Sequence, residues 1–356
     1  MLKPKIISTL IGILVICSSS FSQDKNIASL YIFKGKQLFY FTTKDSLKIG
    51  VKDEDGKIII PAKASFYTYN YQSPILEPTI ELMVTDLMKN NDSQSPVMPI
   101  SEVYNRDGEF LYTLQFFDNG SDPLEEGLRR YVKNGKIGFA NKLGEKVLPA
   151  NWNFATPFSY GYATVYTGVW IKKYDKGGEH WTIVPNDDNA EKFLINKKGE
   201  RISPYAHPKS DRDYKKGENE YYPYPFTYNA LEKKIIDSLE NLDVLNDLSL
   251  INYGPNNQKR EDLLLQFEII EYPSEYSPYY ILQGFRQQHK VEEMKFAIYK
   301  DGTGYYHYDD FEQELSPMKD WIIDALKYGE EYFQEYPDMP FRFDVKKQMT
   351  VWKNEK

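Results

Sequence analysis

The sequence predicts a β-rich domain of repeated antiparallel hairpins, followed by an α+β domain in which two helices cover an antiparallel sheet. The first part of this prediction rests on a short pattern that occurs twice, as KIGVKDEDGKIIIPA at 48–62 and KIGFANKLGEKVLPA at 136–150. The second part rests on residues 229–356, where apolar residues at helical spacing and strand-like runs occur in the same segment.

Each copy of the pattern predicts a strand, a tight turn and a return strand. Apolar Ile49 and Val51 alternate with Lys48 and Gly50, as in a strand with one buried face. A polar connection then closes on a glycine, which suits the positive φ of a hairpin loop with a bulge. A later proline ends the return strand, because proline removes a ladder donor. The repeat positions are Gly50, Gly56, Pro61, Gly138, Gly144, Pro149, Gly161, Gly199 and Pro204.

Two looser copies extend the array. EKFLINKKGERISP at 191–204 keeps the spacing from glycine to proline, and EVYNRDGEFLY at 102–112 has the turn glycine, Gly108, without the proline. A single hairpin is marginal in water, so the copies are expected to pack against one another. Gly50 and Gly138 are expected to allow close approach of strands rather than contact with a ligand.

The most complete copy, residues 125–166, resembles one unit of the WG-repeat proteins. The residues that carry the resemblance are Gly127, Leu128, Asn134, Gly135, Lys136, Gly138, Gly144, Pro149, Phe158, Gly161, Ala163 and Val165. Ile49 and Ile137 stand where the family has its signature tryptophan, a position that asks for a large buried apolar residue. The resemblance implies a β-rich repeat array, common in exported bacterial proteins, that acts as an interaction scaffold. It supplies no catalytic residues.

The first 22 residues have the pattern of a secretory signal. Lys3 and Lys5 precede an apolar run at 6–17, and small residues lead to a cleavage position before Gln23. The run is shorter than the about 20 residues that span a bilayer. Retention as a membrane anchor and lipidation of Cys17 are the alternatives. Cys17 is the only cysteine, so the mature chain would have no disulfide, no thiolate zinc site and no cysteine nucleophile.

The mature chain is predicted to divide into a repeat domain at 23–202, a linker at 203–228 and an acidic α+β domain at 229–356. The linker is rich in proline, tyrosine, lysine and glutamate and has no periodicity. Tyrosines near its end are candidate binding aromatics for a glycan or a proline-rich peptide, or else they pack the joint between the domains. These tyrosines are Tyr221, Tyr222 and Tyr224.

Charge is uneven along the chain. Lysine and arginine number 44 and aspartate and glutamate number 52, which gives a net charge of −8. Residues 23–220 are balanced (27 − 27 = 0), whereas residues 221–356 carry 15 basic and 25 acidic side chains (15 − 25 = −10). Neither part has a basic stripe, so a nucleic-acid partner is not expected.

The α+β domain is predicted to begin with a helix at YNALEKKIIDSLENLDVL and to contain a second helix at SPMKDWIIDALKYGEEYF. Strand-like runs lie between them, with Asp301 and Gly302 in a hairpin turn. A last strand is predicted at FRFDV, with Phe341, Phe343 and Val345 on one face. This end of the chain is similar to the periplasmic C-terminal domain of TonB-type energy transducers.

Motifs for catalysis or cofactor binding do not occur in the sequence. The four histidines are His180, His207, His289 and His307, and none has metal-ligand spacing. His307 and Asp309 would share a strand face, where either a metal site with a further ligand or a solvated hairpin end is possible. The P-loop, dinucleotide and nucleophile-elbow patterns are all missing. We therefore predict neither a cofactor nor a metal.

The sequence thus predicts an exported, non-enzymatic interaction or scaffold protein of the cell envelope that binds an envelope protein. It would be periplasmic or secreted, without a membrane span after removal of the signal. The alternative is a glycan- or small-ligand-binding module with tyrosine-lined grooves. A hydrolase without a recognisable motif is a third hypothesis, because any two of the 52 acidic residues could meet in space.

Overall fold

The computed structural model of the protein describes residues 28–32, 35–64, 69–85, 99–117, 120–178, 180–254, 258–310 and 313–354. The predicted export signal, with Cys17, lies outside these residues. In the described ranges no helix is both long and apolar enough to cross a bilayer. The chain forms two compact units: Phe33–Pro225, which we call the repeat unit, and Phe226–Lys356 with residues 28–32, which we call the C-terminal unit.

The repeat unit is built from antiparallel strands, numbered here along the whole chain from β1 (Ala28–Ser29) of the other unit. Its first sheet consists of β2 (Leu38–Thr42), β3 (Lys48–Asp53) and β4 (Ile58–Ala64). A six-stranded sheet follows, with the spatial order β12 (Lys146–Trp152), β11 (Lys136–Asn141), β10 (Leu128–Lys133), β7 (Phe110–Leu114), β6 (Ile100–Tyr104), β5 (Ile80–Val84).

Shorter sheets complete the repeat unit. One has four strands in the order β13 (Phe154–Ala155), β14 (Tyr162–Thr167), β17 (Glu191–Asn196), β18 (Arg201–Ile202). Three strand pairs are β8 (Phe116–Phe117) with β9 (Gly120–Ser121), β15 (Trp170–Tyr174) with β16 (Trp181–Pro185), and β19 (Tyr214–Gly217) with β20 (Glu220–Tyr222). The predicted β-rich domain of antiparallel hairpins is thus confirmed. The prediction that proline ends the return strands is wrong: Pro61 and Pro149 lie inside β4 and β12, at shifts in the pairing register where proline's missing donor is tolerated.

One turn structure occurs four times, after β3, β6, β11 and β17. In each copy a side-chain oxygen accepts hydrogen bonds from the backbone amides two and four residues later, at 2.8–3.1 Å. The residues that supply this oxygen are Asp53, Asn105, Asn141 and Asn196. The turn glycines have φ between +79° and +86°, a region that side chains disfavour. These glycines are Gly56, Gly108, Gly144 and Gly199.

The turn glycines also mark where one repeat packs on the preceding one. A Cβ added at Gly108 would lie 2.4 Å from the carbonyl oxygen of Ile59, in the return strand before it. At Gly144 the neighbour would be Leu111 at 2.4 Å, and at Gly199 it would be Leu148 at 3.1 Å. Gly56, in the first copy, has nothing within 4 Å. The copies therefore stack in sequence, and each turn covers part of the hairpin before it.

Apolar residues of the repeated strands form the cores. Ile49 and Ile137, at the tryptophan position of the WG-repeat pattern, are both buried. Gly50 and Gly138 lie opposite aromatic residues of the neighbouring strand, and Gly138 pairs with Tyr131. A Cβ at Gly138 would come within 2.6 Å of that ring and 2.7 Å of the Ala150 nitrogen, so these strands approach closely.

The C-terminal unit is an α+β fold, as predicted. Its antiparallel sheet has the order β1, β25 (Glu314–Pro317), β24 (Tyr305–Asp309), β23 (His289–Tyr299), β22 (Tyr279–Arg286), β21 (Gln266–Glu271). Its helices are α1 (Ala230–Glu240), α2 (Asp243–Leu248), α3 (Met318–Glu335) and α4 (Val345–Asn354), with one 3₁₀ turn at Arg260–Leu263. One face of the sheet packs against these helices in a single apolar core.

The structure corrects the predicted end of the chain. The described residues contain four α-helices rather than two, and FRFDV is not a strand. Val345 instead begins α4, where Val345, Met349 and Trp352 recur at helical spacing and join the core. Asp344 caps this helix by accepting a hydrogen bond from the Lys347 amide at 2.9 Å. The alternation of three apolar residues was too short a pattern to separate the two structures.

The predicted boundaries also change. Residues 203–225, predicted as most of a linker, belong to the repeat unit, where β19 and β20 form a hairpin and Tyr205 pairs with Tyr221. Residues 28–29, predicted as part of the repeat domain, form a strand that pairs with β25. Sequence composition cannot predict these contacts, because they join segments that are separated along the chain.

Candidate interaction surface

The three predicted binding aromatics close one end of the repeat unit. Tyr222 is only 4% exposed and packs with Tyr162 and Tyr214, at ring separations of 5.8 and 6.3 Å. Tyr221 and Tyr224 are half-buried, and the backbone of Tyr221 pairs with that of Tyr205. These tyrosines therefore take part in packing within this unit.

Asp213 holds this tyrosine cluster together. Its buried carboxylate accepts hydrogen bonds from the amides of Lys209 at 2.6 Å, Ser210 at 2.9 Å and Tyr224 at 3.1 Å. Burial raises the pKa of Asp213, but the hydrogen bonds from the Tyr205 hydroxyl and these amides outweigh it, so the pKa lies below its usual value. Conversely, burial and the bond to Asp213 raise the pKa of Tyr205 to about 12.

Asp213→Asn is expected to lower the free energy of unfolding at neutral pH by about 1–2 kcal/mol, because all three amides lose a charged acceptor and the single oxygen of Asn can replace only one carboxylate oxygen. Since the folded pKa is depressed, the stabilisation by Asp213 is complete above the usual value of 3.8 and is lost as pH falls through the folded pKa. Urea unfolding at pH 7 and in acid should thus show a difference from the unsubstituted chain that shrinks in acid. Exposed Asp211 supplies the control, Asp211→Asn, and an equal loss there would contradict the assignment.

A groove of about 460 Å³ lies in the C-terminal unit, between α1 and the turn after β23. Leu231 and Ile235 contribute apolar surface to it, and the hydroxyls of Ser238 and Tyr305 lie 2.9 Å apart beside it. Two lysines and two aspartates also line the groove, so its charges are mixed. The described residues contain no group of three histidine, aspartate, glutamate or cysteine side chains placed to hold a metal ion.

His307 is part of the packing of the C-terminal unit. Its ring stacks on Trp321 at a centroid distance of 4.3 Å, and its Nε2 lies 3.0 Å from the carbonyl oxygen of Glu293. Burial lowers the pKa of His307. Asp310 forms an ion pair with Lys295. The His307 imidazole is thus used in packing against Trp321.

The structure singles out a different feature, which we call the arm, residues 168–190. β11, the strand before the turn at Asn141, is joined to β10 by the two-residue turn Asn134-Gly135, both with positive φ. β17, the strand before the turn at Asn196, is paired in the same way with β14, and this pair also extends to its ends at Thr167 and Glu191. The arm thus occupies the place of a two-residue turn, and it contains the hairpin of β15 and β16.

The arm presents apolar side chains to solvent. Val169, Ile171 and Tyr174 are 47%, 45% and 56% exposed. Its base is fixed, because the Trp170 indole donates to the carbonyl of Thr167 at 2.7 Å. Within the described residues β15 and β16 pair only with each other. A two-stranded hairpin with exposed apolar residues is marginal in water, which favours a role in contact with another molecule.

The sequence analysis missed the arm. The signal that could have found it is the long separation between the strand "GYATVYT" and its partner "EKFLIN", because the equivalent strands β10 and β11 are separated by a single Asn-Gly turn. The aspartate–glycine turn at Asp175 was also missed. There the Gly178 amide donates to the Asp175 carbonyl at 3.2 Å and the Gly177 amide to its side chain at 3.1 Å.

Stacked hairpins that share one turn structure, with an aspartate or asparagine at its start and a glycine at positive φ, define a β-repeat protein. Comparison with models of protein families matches residues 137–168, from the second residue of β11 to the first residue of the arm, to the WG containing repeat. The chain therefore carries a WG repeat, and the resemblance found in the sequence is confirmed for this segment. A search of curated proteins gave no match.

Proposed function

We propose that this protein is an exported, non-enzymatic interaction protein of the bacterial cell envelope, and that its repeat unit binds a protein partner through the arm. The observation that carries the proposal is the arm itself. It replaces a two-residue turn and exposes apolar residues that the repeat unit does not use for packing. Interaction sites in repeat proteins commonly lie on insertions between repeated strands.

Export is proposed from the first 22 residues, which have a basic start, an apolar run and a small-residue cleavage position. Removal of this segment would leave a periplasmic or secreted chain without cysteine, whereas lipidation at Cys17 would anchor it. The proposal of a non-enzymatic role is supported by two buried carboxylates whose hydrogen bonds and ion pairs hold the fold together. Asp122 pairs with Arg130, and Asp213 binds backbone amides.

The second candidate function is the binding of a small ligand or glycan, and the groove beside α1 favours it. Its volume of about 460 Å³ suits a small molecule, and the hydroxyls of Ser238 and Tyr305 offer polar contacts. The predicted tyrosines are poor candidates for this function because Tyr222 is buried. A sugar panel that raises the melting temperature of the full chain, and loses this effect in Tyr305→Phe, would support the alternative.

The arm can be removed without breaking the repeat. Replacing residues 168–190 by Asn-Gly would connect Thr167 to Glu191 in the same way that Asn134-Gly135 connects β10 to β11. We expect the free energy of unfolding to change by no more than about 1 kcal/mol, because the arm forms a separate strand pair. Chemical unfolding of both chains measures this directly.

Affinity capture then tests the function. Chain 23–356 and its armless form are immobilised and exposed to the same envelope extract, and bound proteins are identified by mass spectrometry. We expect one protein to be retained by the intact chain and lost from the armless chain. Equal retention by both chains would contradict the arm as the binding element, and retention of glycan alone would favour the second candidate.

A further inference from the structure

We propose that β15 is an edge strand that accepts an additional strand from a protein partner, and that the partner segment is extended and carries two consecutive acidic side chains between apolar ones. This inference rests on the proposed function and states how the arm would bind. In an antiparallel pair, every second residue of each strand turns its N–H and C=O away from the partner strand. The outer side of β15 faces no other strand in the part of the chain that the structure describes.

At another sheet edge of this protein, the outward backbone N–H groups of the edge strand are covered. β21 is the last strand of the C-terminal sheet, and side chains satisfy the outward amides along it. Leu265 donates to Asn246 at 2.7 Å, Phe267 to Glu240 at 2.9 Å, and Ile269 to Tyr228 at 3.1 Å. These side chains thus close that edge against strand addition, whereas among the described residues β15 is paired with β16 alone.

β15 is the better acceptor of the two arm strands. β16 ends in Pro185, which has no N–H to donate to an added strand. The start of β15 is held by Trp170, and the amide of Val169 donates to the Asp187 side chain at 3.1 Å. An added strand would therefore meet a strand of fixed position, which lowers the entropic cost of binding.

The positive charges of β15 favour a partner segment with acidic side chains. Lys172 and Lys173 are exposed and lie on opposite faces of β15, and Lys176 follows in the turn. Acidic side chains directly across from these lysines would stabilise the pairing, and basic ones would weaken it. Apolar side chains would cover Ile171 and Tyr174, which are exposed in the repeat unit. A second copy of β15 is disfavoured, because it would place lysines close to lysines.

The test uses the full chain 23–356 and a synthetic peptide of about ten residues in which two consecutive glutamates are flanked by valines. A peptide with lysine in place of glutamate is the matched control. Fluorescence anisotropy is expected to show at least about tenfold tighter binding of the glutamate peptide. The double variant Lys172→Glu with Lys173→Glu should reverse this preference. The control variant Lys48→Glu with Lys133→Glu changes two exposed lysines outside the arm and should leave the preference unchanged.

Hydrogen exchange distinguishes strand addition from contact between side chains alone. Binding of the glutamate peptide should slow amide exchange in residues 170–174 and leave exchange in residues 48–53 unchanged. Binding without slower exchange in β15, an unchanged preference in the charge-reversed variant, or no binding at millimolar peptide would each overturn the inference. If capture from extract still required the arm, the proposed function would stand while strand addition alone would fail.

Discussion

Arg130→Met is expected to lower the free energy of unfolding of the repeat unit by about 3–5 kcal/mol, because it leaves a buried carboxylate without its counter-ion. Arg130 and Asp122 are 4% and 3% exposed. The guanidinium binds both carboxylate oxygens, with Nε at 3.0 Å from each and a further bond from Nη2. Its Nη1 donates to the carbonyl of Ala155 at 2.6 Å, so the pair also joins β10 to β13.

Two controls separate the buried pair from a general effect of removing charge. The double variant Arg130→Met with Asp122→Leu should recover much of the lost stability, because no charge then stays buried. Arg201→Met removes one partner of an exposed pair with Glu191 and should cost about 1 kcal/mol or less. Urea unfolding of the full chain measures all three variants, and a cost below about 1 kcal/mol for Arg130→Met would contradict the assignment.

Gly108→Ala is expected to cost about 2–4 kcal/mol, and Gly56→Ala clearly less, although both glycines have φ of +85°. The backbone strain is the same in the two turns. The difference is that a Cβ at Gly108 would lie 2.4 Å from the Ile59 carbonyl oxygen, whereas Gly56 has open space around it. The difference between the two losses of stability therefore measures how closely the turn at Gly108 packs on Ile59 of β4.

Chemical unfolding of the two glycine variants provides the comparison. Equal losses of stability would mean that the turns contribute only their local conformation and that the stacking contact is unimportant. A larger loss for Gly56→Ala would contradict the stacked arrangement directly. Because both substitutions add the same methyl group, differences in the unfolded chain should largely cancel.

The sequence allowed prediction of those parts of the fold that local chemistry determines. A strand with alternating burial, a glycine at positive φ and a following proline are each encoded within about fifteen residues, so the repeated hairpins around Gly56 and Gly144 could be found. The helix at α1 could be found for the same reason, since Ile235 and Leu239 recur at helical spacing. The match to the WG containing repeat falls in this well-encoded region.

Features that depend on distant contacts could not be predicted. Tyr222 lies in a segment with the composition of a linker. It is nevertheless buried against Tyr162 of β14, which is distant along the chain. Asp122 and Arg130 are residue types that usually lie on the surface. Only the folded chain shows that both are buried, near β9, β10 and β13. The arm is similar, because the sequence WIKKY of β15 is compatible with any short strand. Only the folded structure shows that nothing in the described residues pairs with the outer side of β15.

The central claim is that the arm contacts a protein partner, and site-specific photo-crosslinking in the producing cells tests it most directly. A photoreactive amino acid is placed at the position of Ile171 in the arm or at that of Leu47, which is 66% exposed in the turn before β3. We expect one adduct of defined mass at position 171 and none at position 47. The absence of an adduct at position 171, or the same adducts at both positions, would contradict the claim.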